Sequence, residues 1–100
     1  MQSHYPAHFE RDMSCTESDW LQRLPAALGD VSWQRAGRQL QAEIAGGRLT
    51  LTWQWAPDRP LSGLVRMPRL LAQFDFGGVN DEARYRFMKR FDLYMLRGGG

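Results

Sequence analysis

One hundred residues, 43% of them hydrophobic and twelve of them aromatic, suffice for a single domain with its own core and are too apolar for a disordered chain. A net charge of +2 is weak for a domain that would live on nucleic-acid phosphates, and the lone Cys15 excludes an internal disulfide and fits a reducing compartment. No apolar run is long enough for a signal peptide or a membrane span, so the expectation is a cytoplasmic protein that does not enter membranes.

Arg supplies twelve of the thirteen basic residues, and Lys89, Ile44 and Asn80 each occur once. Joint depletion of Lys, Ile and Asn is what a GC-rich genome imposes on any chain. The Arg bias therefore points to a bacterial source before it points to phosphate recognition.

In chain order, residues 1–13 (MQSHYPAHFERDM) show no clear period and are interrupted by Pro6, which predicts a mobile arm, with the domain proper starting near Ser14. Ser14 with Glu17, and more weakly Thr16 with Asp19, has capping-box spacing ahead of Trp20, Leu21 and Leu24 at helical intervals, so a first helix begins there. Pro25 would remove a backbone donor, and the helix is expected to stop near Leu24 or to restart briefly through Ala26-Ala27-Leu28 before Gly29-Asp30. Val31 and Trp33 mark a short strand, followed by a tight turn at Ala36-Gly37.

Leu40 to Trp55 carries the clearest pattern of the chain. Leu40, Ala42 and Ile44 share a parity with each other, as do Leu49, Leu51, Trp53 and Trp55, while Gln41, Glu43, Thr50, Thr52 and Gln54 face the other way. This is a β-hairpin with one buried face, its turn assigned to Gly46-Gly47 because glycine adopts positive φ at little cost. The stretch AEIAGGRLTLTW resembles the strand segment of frataxin-type iron-binding proteins over about a dozen residues, as any hairpin of this parity does. The chain has no strongly acidic first helix, so neither that family nor its iron chemistry is carried over.

After Trp55, APDRPLSG reads as a loop, and LVRMPRLLAQFDF as a further strand whose apolar phase changes from Val65 and Met67 to Leu70, Ala72, Phe74 and Phe76. Pro68 sits at the break, which predicts a bulge or an edge position at Pro68-Arg69. Asn80 as N-cap, with Asp81 and Glu82 in the first turn, then opens the strongest helix, whose apolar face is expected to hold Ala83, Phe87, Met88, Phe91, Tyr94 and Met95. The expected fold is an α+β two-layer sandwich, a three- to four-stranded antiparallel meander flanked by an N-terminal and a C-terminal helix, with the domain over 14–97 and a glycine tail at 98–100.

Chemistry is sparse. His4 and His8 have metal-ligand spacing on a helix, but Pro6 lies between them and too few converging ligands accompany them. Cys15 near a helix N-terminus is the one candidate nucleophile, and no histidine is placed to act as its base. Acids at Asp81 and Glu82 are explained by the helix dipole, and FDFGGVNDEA lacks the Lys-Ser/Thr of a phosphate-binding loop. No catalytic residue, metal ligand or cofactor site is assigned.

Interaction has the better case, because many aromatic and Met side chains in so small a domain leave some at the surface. On the final helix Tyr85, Leu93 and Leu96 lie off the main apolar stripe, interleaved with Arg86, Lys89 and Arg90. These six residues are the expected docking surface for a protein partner or a second copy. The expectation is thus a non-catalytic accessory or protein-interaction domain. The alternative is a weak single-stranded nucleic-acid binder using Arg48, Arg66 and Arg69 on a sheet face.

Overall fold

The computed structural model describes residues 4–98, with the side chains of the last two left aside. Its elements are β1 (His8–Met13), α1 (Glu17–Leu28), β2 (Trp33–Ala36), β3 (Gln39–Ile44), β4 (Gly47–Pro60), β5 (Arg66–Gly77) and α2 (Asp81–Gly98). The strands form one antiparallel sheet in the order β1-β5-β4-β3-β2, with the two helices packed together over one face. The α+β two-layer layout is as expected, with five strands in place of three to four.

The additional strand comes from the segment read as a mobile arm. Residues 1–3 lie outside the described residues, but His8–Met13 pairs along β5 from His8↔Asp75 to Met13↔Leu70. Phe9 turns inward and stacks on Phe74 with ring centroids 4.8 Å apart. The alternation was hidden because a charged residue, Arg11, occupies an inward position, where Asp92 of α2 neutralises it. The domain therefore begins ahead of Ser14.

Of the two capping pairs, the structure uses Thr16, whose side-chain oxygen accepts from the Asp19 N–H at 3.1 Å. Pro25 lies inside α1 and does not end it. An interior proline costs about 3 kcal/mol. Burial of Leu24 and Leu28, 2% and 1% exposed, returns about 2 kcal/mol each, which is enough to carry the helix through. Gly29 then closes it, its N–H donating to the Pro25 carbonyl at 3.1 Å. In α2 the Asn80 Oδ1 accepts from the Ala83 N–H at 2.8 Å, as its N-cap position requires.

The β3–β4 turn falls one residue earlier than expected. Ile44 pairs with Gly47, and the two turn residues with positive φ are Ala45 at 48° and Gly46 at 83°. Gly47 serves a different purpose: a Cβ there would lie 2.5 Å from the Gly77 carbonyl oxygen. Only glycine lets β4 start against the end of β5.

β4 and β5 outrun their neighbours. β3 pairs with β4 only as far as Thr52, and β1 with β5 only as far as Leu70, so the rest of the hairpin continues as a two-stranded ribbon. The loop expected over residues 56–63 is largely strand, and the chain reverses at Leu61 to Val65, closed by the Leu61 N–H donating to the Val65 carbonyl at 2.8 Å. The bulge expected at Pro68-Arg69 lies across the ladder on β4, where the register passes from Ala56↔Arg69 to Arg59↔Met67. Pro57 and Asp58 thus oppose the single residue Pro68. Trp55 shares the parity of buried Trp53 yet is 51% exposed, because β3 reaches β4 only as far as Thr52 and leaves the Trp55 flank without a neighbouring strand, while Leu70 across the ladder stays buried.

Candidate docking surface

The stacking of α2 on β5 fixes its direction. Phe87 meets Phe76 with centroids 5.9 Å apart, and Phe91 meets Phe74 at 5.2 Å. The helix therefore runs antiparallel to β5, and its last turns lie toward the root of the ribbon. Leu93, Tyr94 and Leu96 are exposed on those turns, and Leu61, Leu64 and Val65 are exposed at the ribbon's tip, Leu64 at 98%. With Trp55 at the root, seven of the eight exposed large apolar side chains among the described residues occupy one end of the molecule, the exception being Trp33 on the edge strand β2.

Three polar clasps hold this end in shape. At the ribbon's root, Asp12 of β1 accepts from Arg59 Nη2 at 2.7 Å and from Arg69 Nη2 at 2.8 Å. The hydrogen bond from Arg69 leads in holding the Asp12 carboxyl below its ordinary value. Between the layers, Glu17 at the start of α1 accepts from Arg38 Nε at 2.7 Å and from Trp53 Nε1 at 2.8 Å, and these two hydrogen bonds lower its pKa in that order. The same Arg38 guanidinium lies 5.7 Å from the centre of the Trp55 ring.

On the far side, Asp92 takes both Nη groups of Arg11 and the hydroxyl of Tyr5, whose own pKa is raised first by burial and then by that hydrogen bond. Buried Arg84 binds the segment before β1 to α2, donating to the Tyr5 and Val79 carbonyls at 2.6 and 2.9 Å and to the Asp81 carboxylate. All three kinds of guanidinium nitrogen are engaged, which is what a buried Arg requires.

The six expected docking residues divide. Arg86, Lys89, Leu93 and Leu96 share the outer face of α2, where Arg86 donates to Glu82 at 2.6 Å. Tyr85 sits on one flank, half-buried against Tyr5 and carrying the Lys89 ammonium 5.4 Å over its ring. Arg90 is on the opposite flank, where it donates to the Ala26 carbonyl of α1 at 3.2 Å and lies 4.5 Å over Tyr94. It is a strut between the helices.

The three arginines of the nucleic-acid reading are dispersed. Arg48 pairs with Gly77 at one end of the β4–β5 ladder and Arg66 with Pro60 at the other, and Arg69 is held by Asp12. The open face of the sheet between them carries Thr50, Thr52, Gln54 and Gln73, with the His8 imidazole 3.1 Å from Asp75. Cys15 is buried, and burial pushes its thiol pKa up, the opposite of what a nucleophile needs.

The ribbon tip was missed in the sequence because LSG reads as a turn. The available signal was its content: Leu61, Leu64 and Val65 are poor choices for a solvated loop. Compared with protein-family models, with curated proteins and with solved structures, the chain matches none.

Proposed function

We propose that the protein is a small non-catalytic accessory domain of the bacterial cytoplasm that binds protein through its apolar end, the β4–β5 tip together with the last turns of α2. One observation carries this reading: the exposed large apolar side chains gather at that end and are nearly absent elsewhere among the described residues. Scattered apolar residues are normal on a surface, but a cluster on a protruding element is characteristic of a docking site. The outer face of α2 adds Arg86 and Lys89 as a basic margin beside Leu93 and Leu96. The alternative, binding of a single nucleic-acid strand through Arg48, Arg66 and Arg69, has less support, since such binding wants a continuous basic groove with stacking aromatics.

The test is site-specific photocrosslinking in cells, with a photoreactive phenylalanine replacing Leu64, Leu96 or, on the open sheet face, Thr50. Discrete protein adducts from the first two positions and none from Thr50 are expected. Equal labelling from all three positions, or none from Leu64 and Leu96, overturns the reading.

A further inference from the structure

The ribbon carries two charges that nothing among the described residues answers. Asp58, in the bulge opposite Pro68, and Arg66, across the ladder from Pro60, are exposed and make no hydrogen bond or ion pair there. The ribbon's other arginines, Arg59 and Arg69, are both held by Asp12. The unanswered acid therefore lies toward the root and the unanswered base toward the tip. Arg59 and Arg69 reach Asp12 on the open face of the sheet, so alternation places Pro60, Arg66 and Pro68 on the other face, which continues the Trp55 side beyond the helices.

We propose that this face of the ribbon is the contact between two copies of the chain. The ribbons lie antiparallel about a two-fold axis, each Asp58 meets Arg66 of the other copy, and each apolar tip lands beside Trp55 and the end of α2 at the opposite root. The inference rests on the docking reading above and names its occupant.

Two features select a second copy. An acid near the root and a base near the tip are complementary to the same pair reversed, and an antiparallel copy presents that pair automatically, as a two-fold contact requires. Addition of a foreign strand to the ribbon's edges is disfavoured, because Pro57, Pro60 and Pro68 supply no backbone donors. What is left is contact by faces. From Trp55 to Leu61 the ribbon rises about 20 Å at ~3.3 Å per residue, so overlapped ribbons bring each tip to the other's root. A contact this narrow falls at or below the standard size of a stable interface, so the association is sought across about the micromolar range.

Sedimentation equilibrium of the full chain from about 1 to 200 μM tests this. The wild type is expected to dimerise, and Asp58→Arg or Arg66→Asp alone to weaken the dimer about 30-fold by setting like charges together. An equimolar mixture of the two variants regains wild-type association, because each mixed dimer then holds two opposite-charge pairs. Leu64→Asp, at a loop tip outside the core, weakens the dimer independently of the charge pair and provides a measure should either reversal disturb folding. A wild type that stays monomeric throughout, a dimer indifferent to all three substitutions, or a mixture that does not recover overturns the inference. If the chain is monomeric while Leu64 still crosslinks to a different protein, the second copy is the wrong occupant and the docking reading stands. If Leu64 crosslinks to nothing, the docking reading fails with it.

Discussion

Asp92 receives Arg11 end-on, its two carboxylate oxygens 2.7 and 2.9 Å from the two Nη atoms, and the pair ties the edge strand β1 to α2 across 81 positions of sequence. Both side chains are mostly shielded, at 23% and 17% exposure, so the bond is worth more than a surface ion pair and less than a fully buried one. Asp92→Ala leaves the guanidinium of Arg11 and the hydroxyl of Tyr5 short of an acceptor and is expected to cost about 2 kcal/mol. Urea unfolding with an unchanged denaturant slope checks it. A loss below about 0.5 kcal/mol would show that water replaces the carboxylate without penalty.

Gly47 and Gly46 are neighbours with different requirements. A Cβ on Gly47 meets the backbone of Gly77 and Gly78 at 2.5 Å, so Gly47→Ala forces the strands apart and should cost about 2 to 3 kcal/mol. Gly46→Ala meets open space and is opposed only by its φ of 83°, a cost of about 1 kcal/mol. Ala45, at φ 48°, is the reverse case: Ala45→Gly relieves a left-handed alanine and should come out neutral or slightly stabilising. Thermal melts of the three variants, ranked in this order, make the check.

The Glu17 clasp makes stability depend on acid. Its pKa in the folded chain is below the ordinary value of 4.5, so its contribution is fully present above that value and is lost as pH falls through the lowered one. Asp12 acts in the same direction from an ordinary value of 3.8. The melting temperature of Glu17→Gln should therefore lie below that of the wild type at neutral pH, with the gap closing as the solution is acidified below the ordinary carboxylate range. A gap that stays constant would mean that the Trp53 and Arg38 contacts do not depend on the charge.

Cys15 is buried with a raised pKa. In the native protein it should react with a thiol reagent at neutral pH at least about 100-fold more slowly than free cysteine, and reach the free rate in denaturant. Rapid native labelling would reopen a chemical role for this thiol.

The secure parts of the sequence reading share a physical cause. The pairing of Leu40 and Ala42 with Leu51 and Leu49 follows from side chains alternating across a strand, and α2 follows from Asn80 and the spacing of its apolar residues; both are local properties. Of the docking surface, Leu93 and Leu96 were legible as residues off the core stripe of one helix. Leu61, Leu64 and Val65 were not, since a turn pattern does not say how far its strands project.

What the sequence by itself determined about this protein is the periodic part: a first helix opening within residues 14–17, a second opening at Asn80, and the two-faced hairpin they cover. The tertiary structure decided the features that depend on distant partners. Arg11 faces inward in β1 because Asp92 waits there, α1 runs through Pro25 because Leu24 and Leu28 are buried, and Trp55 is exposed because β3 stops short of it along β4. Side-chain alternation and helical spacing act over a few residues and leave a local imprint. Charge pairing across the fold and the relative lengths of packed elements act between residues far apart in sequence, and they come into being only when the layers meet.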